Sequence, residues 1–322
     1  MDDYPQNLSE FRERFSTEEA CVEYLISLRW PDGVVCPVCG SIQIRRTTRG
    51  LFECQACLRQ TSVTAGTLFH NTRKPLKLWF EAMWHITNQK YGANALGLQR
   101  TLGLGSYHTA WKWLHKFRRA MVRPGRDQLS GVVEVDETYI GGKKSGKRGR
   151  GAENKKLVAV AIEDKGQASS TGKGIGRIRL KLIQDASAEN LDAFIQEHIS
   201  PGSHIRTDGW SGYQKVSTLG YDHTLVGSND LKIAHLTIAL LKRWLLGTYQ
   251  GAVSSVHLEY YLDEFTFRFN RRTSRSRGKL FYRLVQHSLL SDPVPGQQVL
   301  GGNPSEGEVV IDDLSELHDL PF

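Results

Sequence analysis

The stretch GVVEVDETYIGG, residues 131–142, decides the fold of this chain. Val133 and Val135 alternate with Glu134 and Asp136, which is the period-two pattern of a half-buried strand. Asp136 should therefore lie on the strand face opposite the two valines. A carboxylate among β-branched residues is costly to bury unless it is paired, and a metal ion is a usual partner. The alternative at this point is an aspartate at the solvent edge of a strand.

Composition predicts two or three domains and an anionic partner. The 322 residues can bury at least one substantial core. The net charge is +8, and basic residues cluster at 143–156 and 268–283, which favours nucleic acid as the partner. No apolar run is long enough to cross a bilayer and no signal peptide is evident, so we expect a cytoplasmic, nucleoid-associated protein without a membrane partner. Residues 288–322 carry only acidic charges and are predicted to be a disordered tail.

Two cysteine pairs, CPVC at 36–39 and CQAC at 54–57, are separated by 14 residues. This spacing predicts a structural zinc ribbon with Cys36, Cys39, Cys54 and Cys57 as ligands, within a first domain of residues 1–70. The alternative is a pair of disulfides, which a reducing compartment disfavours. A helix over residues 16–30, with Ser16 and Glu19 at capping-box spacing, should precede the ribbon and bury Cys21 in the core.

Residues 71–125 are predicted to be helical. A helix follows Pro75, and a short helix, a turn near Gly103–Gly105 and a second helix from Ser106 resemble a helix-turn-helix. In a DNA-binding interpretation, Tyr107 and His108 lie at the end of the second helix that meets base edges. A helical linker with core tryptophans is the other interpretation.

Residues 126–287 give three consecutive strands, a helix, a strand, a short helix, a strand and a long helix over about 230–246. This order resembles the ribonuclease H-like fold, so the expected fold class is α/β with a mixed five-stranded sheet. In that fold, carboxylates from the first strand, the end of the fourth strand and the helix after the fifth strand bind metal. Those places hold Asp136, Asp208 and the helix that carries His235.

Metal-assisted phosphoryl transfer needs two ions roughly 4 Å apart, and carboxylates hold Mg²⁺ or Mn²⁺. Asp136 is the candidate for the ligand that bridges both ions. Asp208, in IRTDGWSGY, is the second candidate, although an Asp-Gly pair is also a common turn. Three interpretations remain for the third position. His235 is a metal ligand, or His235 is an ordinary polar residue of the helix surface, or a later acid, Asp263 or Glu264, completes the site. Lys242 follows His235 by two helical turns on the same face.

Five motifs follow one another over roughly residues 20–287: CPVC/CQAC, VEVDETYIGGK, TDGWSGY, LKRWLLGTY and HLEYYLDEFTFRFNRR. In this set the chain resembles insertion-sequence transposases of the ISXO-like group, the fifteen-ninety-five family. The resemblance implies a DDE-type ribonuclease H-like domain that cleaves and joins DNA at element ends, with Asp136 and Asp208 as catalytic aspartates. It implies His235 at the variable third position and Lys242 as the basic residue after it. Some relatives have Asn two residues before that lysine, where this chain has Leu240.

The expected partners are terminal inverted repeats and target DNA, bound by a homodimer or larger assembly. Phosphate contacts are predicted for seven basic residues: Lys143, Lys144, Lys242, Arg243, Arg268, Arg271 and Arg272. Two alternatives to a transposase remain at this stage. One is a degenerate copy that binds element ends without cleaving them, and the other is a nuclease of the same fold that does not join strands.

Overall fold

The computed structural model describes residues 3–123, 125–141, 155–166, 174–249 and 253–294, and the backbone of 308–309. In chain order the helices are α1 (Leu8–Arg14), α2 (Glu18–Arg29), α3 (Leu76–Asn88), α4 (Ala95–Leu102), α5 (Tyr107–Ala120), α6 (Ala188–His198), α7 (Lys232–Tyr249), α8 (Leu258–Phe269) and α9 (Arg277–Leu290). The strands are β1 (Ile44–Arg46), β2 (Phe52–Cys54), β3 (Gln60–Thr61), β4 (Val132–Ile140), β5 (Lys156–Asp164), β6 (Ile175–Ile183), β7 (His204–Thr207), β8 (Asp222–Leu225), β9 (Val253–Ser254) and β10 (Glu308–Val309).

The chain divides into two compact units, Met1–Pro124 with Ser274–Gly301, and Gly125–Thr273 with Gly302–Phe322. This division differs from the predicted boundaries, which assign residues up to 287 to the catalytic domain. Helix α9 belongs to the N-terminal unit because Phe281 packs edge-on against Phe11, Phe80 and Trp84. Such contacts between distant segments leave no local trace in the sequence.

Polar side chains cap the starts of two helices in the N-terminal unit. Helix α2 starts at Thr17, whose hydroxyl accepts a hydrogen bond from the Ala20 amide, and not at the predicted Ser16. The Glu18 carboxylate accepts hydrogen bonds from the amides of Leu76 and Lys77 and so caps α3, which begins behind Pro75. Cys21 is fully buried, as predicted, and burial raises the pKa of its thiol to about 12.

Helices α4 and α5 form the predicted helix-turn-helix pair. Asn94 caps α4 at its start, and Gly103 ends it in the left-handed conformation that glycine adopts readily. The apolar side chains of α5, including Trp113 and Phe117, are buried. Arg118 is also buried and donates to the Ala93 carbonyl, so it belongs to the core and not to a DNA-contacting end of α5.

The second unit is built on a five-stranded sheet with the order β6-β5-β4-β7-β8. Strands β4, β5 and β6 pair antiparallel, whereas β7 and β8 run parallel to β4. One core lies between the sheet and α6, and a second lies between the sheet and helices α7 and α8. A mixed sheet in this order with helices on both faces is the ribonuclease H-like fold, as predicted.

Alternation along β4 divides its side chains between the two cores. Val133 and Val135 face α6, whereas Ile140 belongs to the core under α7 and α8. Glu134 and Asp136 have the same parity as Ile140 and therefore point towards α7. The predicted orientation of Asp136, opposite the two valines, is confirmed.

Most of the predicted tail, residues 295–307 and 310–322, lies outside the described residues. At its start, helix α9 continues to Leu290, and Ser288 is fully buried within it. Strand β10 pairs antiparallel with β9. None of the helices in the described ranges is long and apolar enough to span a membrane.

Candidate active site

The pairing of β4 with β7 determines where the two candidate aspartates lie. Val133 pairs with Ile205, and Glu134 with Arg206. Neighbouring strands are spaced about 4.8 Å apart, so an extension of this register by two residues would place Asp208, which directly follows β7, opposite Asp136. The sequence positions 136 and 208, separated by 72 residues, would therefore become neighbours at one edge of the sheet.

Asp136 is directed towards the first turn of α7. Its side chain is 13% exposed, and its Oδ1 accepts a hydrogen bond from the Glu137 amide at 2.8 Å. The His235 Nε2 lies 3.4 Å from the Asp136 Oδ2, and the His235 side chain is 48% exposed. The structure thus brings His235 beside Asp136, with a face open to solvent where a substrate can approach.

Asp208 follows the last residue of β7 and folds back on its own loop. Its Oδ1 accepts a hydrogen bond from the Trp210 amide at 3.0 Å, and the Trp210 indole donates to the Ala186 carbonyl at 2.8 Å. The bond to the Trp210 amide closes a turn, which is the alternative that the Asp-Gly pair suggested. The carboxylates of Asp208 and Asp136 both lie close enough to Tyr213 to act on its hydroxyl.

Tyr213 ties the Asp208 loop to β4, a role that the sequence analysis missed. Its hydroxyl donates to the Glu137 Oε2 at 2.7 Å, and its ring is 1% exposed. Burial, together with the nearby carboxylates of Glu137, Asp136 and Asp208, raises the pKa of Tyr213 well above its usual value. The hydroxyl therefore stays protonated and acts as a donor. In the sequence, Tyr213 stands out only as an aromatic residue six positions after the end of β7.

Glu134 is a second residue that the analysis did not assign. It is 3% exposed, and its Oε2 accepts a hydrogen bond from the Ala234 amide at 2.8 Å. Burial raises the pKa of Glu134, while the helix amides oppose that effect. The alternation of β4 predicted its face, but nothing local predicted a partner 100 residues away.

Glu264, the proposed alternative to His235, is engaged elsewhere in the structure. It is fully buried, accepts a hydrogen bond from the Tyr249 hydroxyl at 3.1 Å and is ion-paired with Arg268 at 2.8 Å. Both carboxylate oxygens thus have protein partners within the α8 region. Among the candidates for the third position, His235 is the one with a contact to Asp136 in the described part of the chain.

The arginines of the segment RFNRR were predicted to contact phosphates, but the structure gives two of them other partners. Arg268 is 12% exposed and paired with Glu264, so little of its guanidinium is available to DNA. Arg272 donates to the carbonyls of Ile175 and Gly176, at the open edge of β6. Asn270 pairs with both the amide and the carbonyl of Ile178, as a neighbouring strand would. This segment therefore covers a sheet edge, which otherwise exposes unpaired backbone groups.

The remaining basic candidates differ in their positions. Arg271 is half-buried and lies over the Phe267 ring. Lys242 and Arg243 lie on α7, seven and eight residues after His235, and Arg243 is exposed. Lys143 and Lys144 lie outside the described residues. Phosphate contacts by these residues stay predictions.

The four cysteines converge as predicted for a zinc ribbon. Their sulfur atoms all lie within 4.8 Å of one another, and the pairs Cys36–Cys57 and Cys39–Cys54 are each 3.6 Å apart. A tetrahedron with Zn–S bonds of about 2.3 Å has edges of about 3.8 Å. The cysteines are not joined in disulfides. Hydrogen bonds from the backbone amides of Cys57 and Ala56, the former with the larger effect, lower the pKa of Cys54 to about 6. The residues fit Zn²⁺, and four thiolates leave no open position, so the site is structural.

The candidate active site has a different donor set. In the ranges that the structure describes, only the four cysteines bring three or more such donor atoms within 4.8 Å of one another. Asp136 and Asp208 supply carboxylate oxygens, and His235 supplies an imidazole nitrogen. Carboxylate oxygens suit hard divalent ions such as Mg²⁺ or Mn²⁺, whereas thiolates suit Zn²⁺.

Comparisons with known proteins match the two regions of the chain that contain these sites. Residues 16–60 match the transposase zinc-ribbon domain, and residues 128–270 match the ISXO2-like transposase domain. The chain is 26% identical to an uncharacterized protein in transposable element ISH50 of Halobacterium salinarum, over 86% of this chain and 98% of that protein. A crystal structure of a pre-cleavage Mos1 transpososome is 12% identical, with a TM-score of 0.26, over 65% of this chain and 78% of that one. This chain therefore carries a transposase zinc ribbon followed by an ISXO2-like transposase domain.

Proposed function

We propose that this transposase cleaves DNA at the ends of its insertion sequence and transfers the freed strands to target DNA, with Asp136, Asp208 and His235 as its catalytic residues. One observation carries the proposal. The His235 Nε2 lies 3.4 Å from the Asp136 Oδ2, and the β4–β7 register, extended by two residues, supports Asp208 as their neighbour.

The donor set supports Mg²⁺ or Mn²⁺ as the catalytic cofactor. Such ions, when bound, activate a water or a DNA 3′-hydroxyl and stabilise the leaving oxygen. Asp136, Asp208 and His235 are the side chains that would hold these ions. The Glu137 amide binds the Asp136 Oδ1, and this bond leaves the Oδ2 to face His235.

Helix α7 also supplies positive charge near this site. Lys242 and Arg243 follow His235 by about two helical turns, so Lys242 lies on the same side of α7 as the imidazole. A phosphate at the site would then be held by the side chains of α7 as well as by the carboxylate-bound ions. Arg243, which is exposed, is placed to contact the flanking DNA backbone.

Helix α5 is the candidate for reading the element ends. Tyr107 is 47% exposed and His108 is exposed, and both lie at the helix start, where a recognition helix meets base edges. The exposed or half-buried basic residues Lys112, Lys116 and Arg119 continue from His108 at helical spacing. We also propose that two or more copies act together on paired ends.

The test is cleavage of a supercoiled plasmid that carries the element's own ends, in Mg²⁺ or Mn²⁺. Asp136→Asn and Asp208→Asn should abolish nicking and the joining of 3′ ends, and His235→Ala should reduce both. Asp222→Asn is the matched control, because Asp222 is an exposed aspartate at the opposite end of the same sheet, ion-paired with His204.

The products separate the candidate functions. Joined strands establish a transposase, whereas nicked ends without joined product indicate a nuclease of the same fold. Binding to the element ends without nicking in either metal overturns the catalytic proposal and leaves a DNA-binding copy. An effect of Asp222→Asn equal to that of Asp136→Asn would show that the loss is one of folding.

A further inference from the structure

We propose that Glu134 is a positioning residue, whose buried carboxylate holds the first turn of α7 against β4 and so fixes His235 beside Asp136. The role of His235 in this inference rests on the proposed function, whereas the placement of α7 by Glu134 does not.

Glu134 supplies hydrogen bonds that the start of α7 lacks. The helix begins at Lys232, and the His235 amide makes its first described backbone bond, to the Leu231 carbonyl at 3.0 Å. The amides of the residues just before His235 have no partner within the helix. The Glu134 carboxylate accepts from the Ala234 amide at 2.8 Å and also interacts with the Ile233 amide.

The preceding residue cannot supply this cap. Leu231 has an apolar side chain that accepts no hydrogen bond, and it is 1% exposed because it belongs to the core. A carboxylate from another element therefore does what a serine or aspartate does at most helix starts. Its negative charge is also favourable at the positive end of the helix dipole.

The contact lies directly beside the site. Glu134 and Asp136 are two residues apart on the same face of β4, and their partners on α7 are Ala234 and His235. Strand and helix thus meet at two consecutive contacts, the first buried and the second half-exposed. Any shift of the first turn at Ala234 moves the His235 imidazole relative to Asp136 by a similar amount.

Neighbouring charges do not replace this cap. Arg206 lies opposite Glu134 in β7, but its guanidinium is ion-paired with Asp164 at 3.1 Å. The described contacts of Glu134 are thus with amides of α7. Removing its charge weakens the attachment of the helix and leaves the Arg206–Asp164 pair in place.

The test measures the metal-free protein by NMR, with Glu134→Gln and Glu134→Asp beside Glu163→Gln. Glu163 is the matched control, since it is an equally buried glutamate on β5 that binds Arg177 and does not touch α7. We expect exchange of the Ala234 amide to become about tenfold faster in both Glu134 variants. The ring signal of His235 should shift as it does in Asp136→Asn, and Glu163→Gln should leave both readouts unchanged.

Unchanged Ala234 exchange and an unchanged His235 signal in folded Glu134→Gln would overturn the inference. A parallel titration with Mn²⁺ alone tests the proposed function separately. If wild-type protein binds no Mn²⁺, the metal site fails while the NMR readouts still decide the role of Glu134. If Mn²⁺ binds, Glu134→Gln should weaken its affinity by roughly 10-fold, as removal of a residue behind a metal ligand commonly does.

Discussion

The hydrogen bond between Tyr213 and Glu137 gives the sharpest prediction about the candidate site. It joins the loop that carries Asp208 to the strand that carries Asp136, at an oxygen–oxygen distance of 2.7 Å. Tyr213→Phe removes the donor and leaves the buried ring in place. A hydrogen bond to a charged group contributes about 1.5–3 kcal/mol. Because Glu137 is partly exposed and water can replace the lost donor, we expect the lower part of this range, about 1.5–2 kcal/mol.

The assay is urea unfolding at about pH 7.5, arranged as a double-mutant cycle with Glu137→Gln. The raised pKa of Tyr213 sets the pH window: its contribution is fully present below the unfolded tyrosine pKa of about 10 and is lost as the pH rises from there towards the folded pKa. The two substitutions should couple by about 1 kcal/mol or more, because each removes the same contact.

Tyr221→Phe is the matched control, since the Tyr221 hydroxyl is also buried and donates to the Ile199 carbonyl at 3.0 Å, away from both aspartates. It should cost stability without slowing DNA cleavage. Tyr213→Phe should slow cleavage about tenfold or more, because the Asp208 loop loses its anchor. A coupling energy near zero, or equal cleavage by the two tyrosine variants, would refute the reasoning.

Three further outcomes follow from burial, close approach and metal ligation. Burial lowers the pKa of His198 to about 4. The free energy of unfolding should therefore fall by about 2 kcal/mol between pH 7.5 and pH 5, because the unfolded chain takes up the proton. His198→Gln should abolish that part of the loss in urea unfolding. A Cβ on Gly278 would lie 1.6 Å from the Pro5 carbonyl oxygen, so Gly278→Ala should lower the melting temperature, whereas Gly247→Ala, with open space around it in α7, should raise it slightly because alanine favours helix by about 1 kcal/mol. Cys36→Ser should release Zn²⁺ and unfold the ribbon, which zinc quantification and circular dichroism would detect; full zinc content in that variant would contradict the four-thiolate site.

The elements of the second unit were predictable because each one has a strong local period. The fourth predicted strand corresponds to β7 at His204–Thr207, and the long helix predicted over about 230–246 corresponds to α7 at Lys232–Tyr249. Their order limited the topology to one known arrangement. The two C-x-x-C pairs likewise fixed the zinc ligands, because the short spacing within each pair leaves little choice of geometry.

The basic segment RFNRR, at the end of α8 and just after it, shows where composition misleads. Its arginines are a charge cluster in the sequence, and such a cluster favours a polyanionic partner. In the folded chain Arg268 neutralises the buried Glu264, and Arg272 covers the edge of β6. The sequence does not reveal these partners, because Gly176 lies 96 residues before Arg272.

The sequence by itself determined the strand that carries Asp136, the zinc ligands and the order of elements, since these depend on periodicity and on spacing along the chain. Only the tertiary structure decided that His235 rather than Glu264 lies beside Asp136, and that Glu134 and Tyr213 hold α7 and the Asp208 loop. Those outcomes depend on sheet register and on buried hydrogen bonds between residues 76 and 100 positions apart. Such bonds form only after the hydrophobic cores have brought the elements together, so no local pattern encodes them.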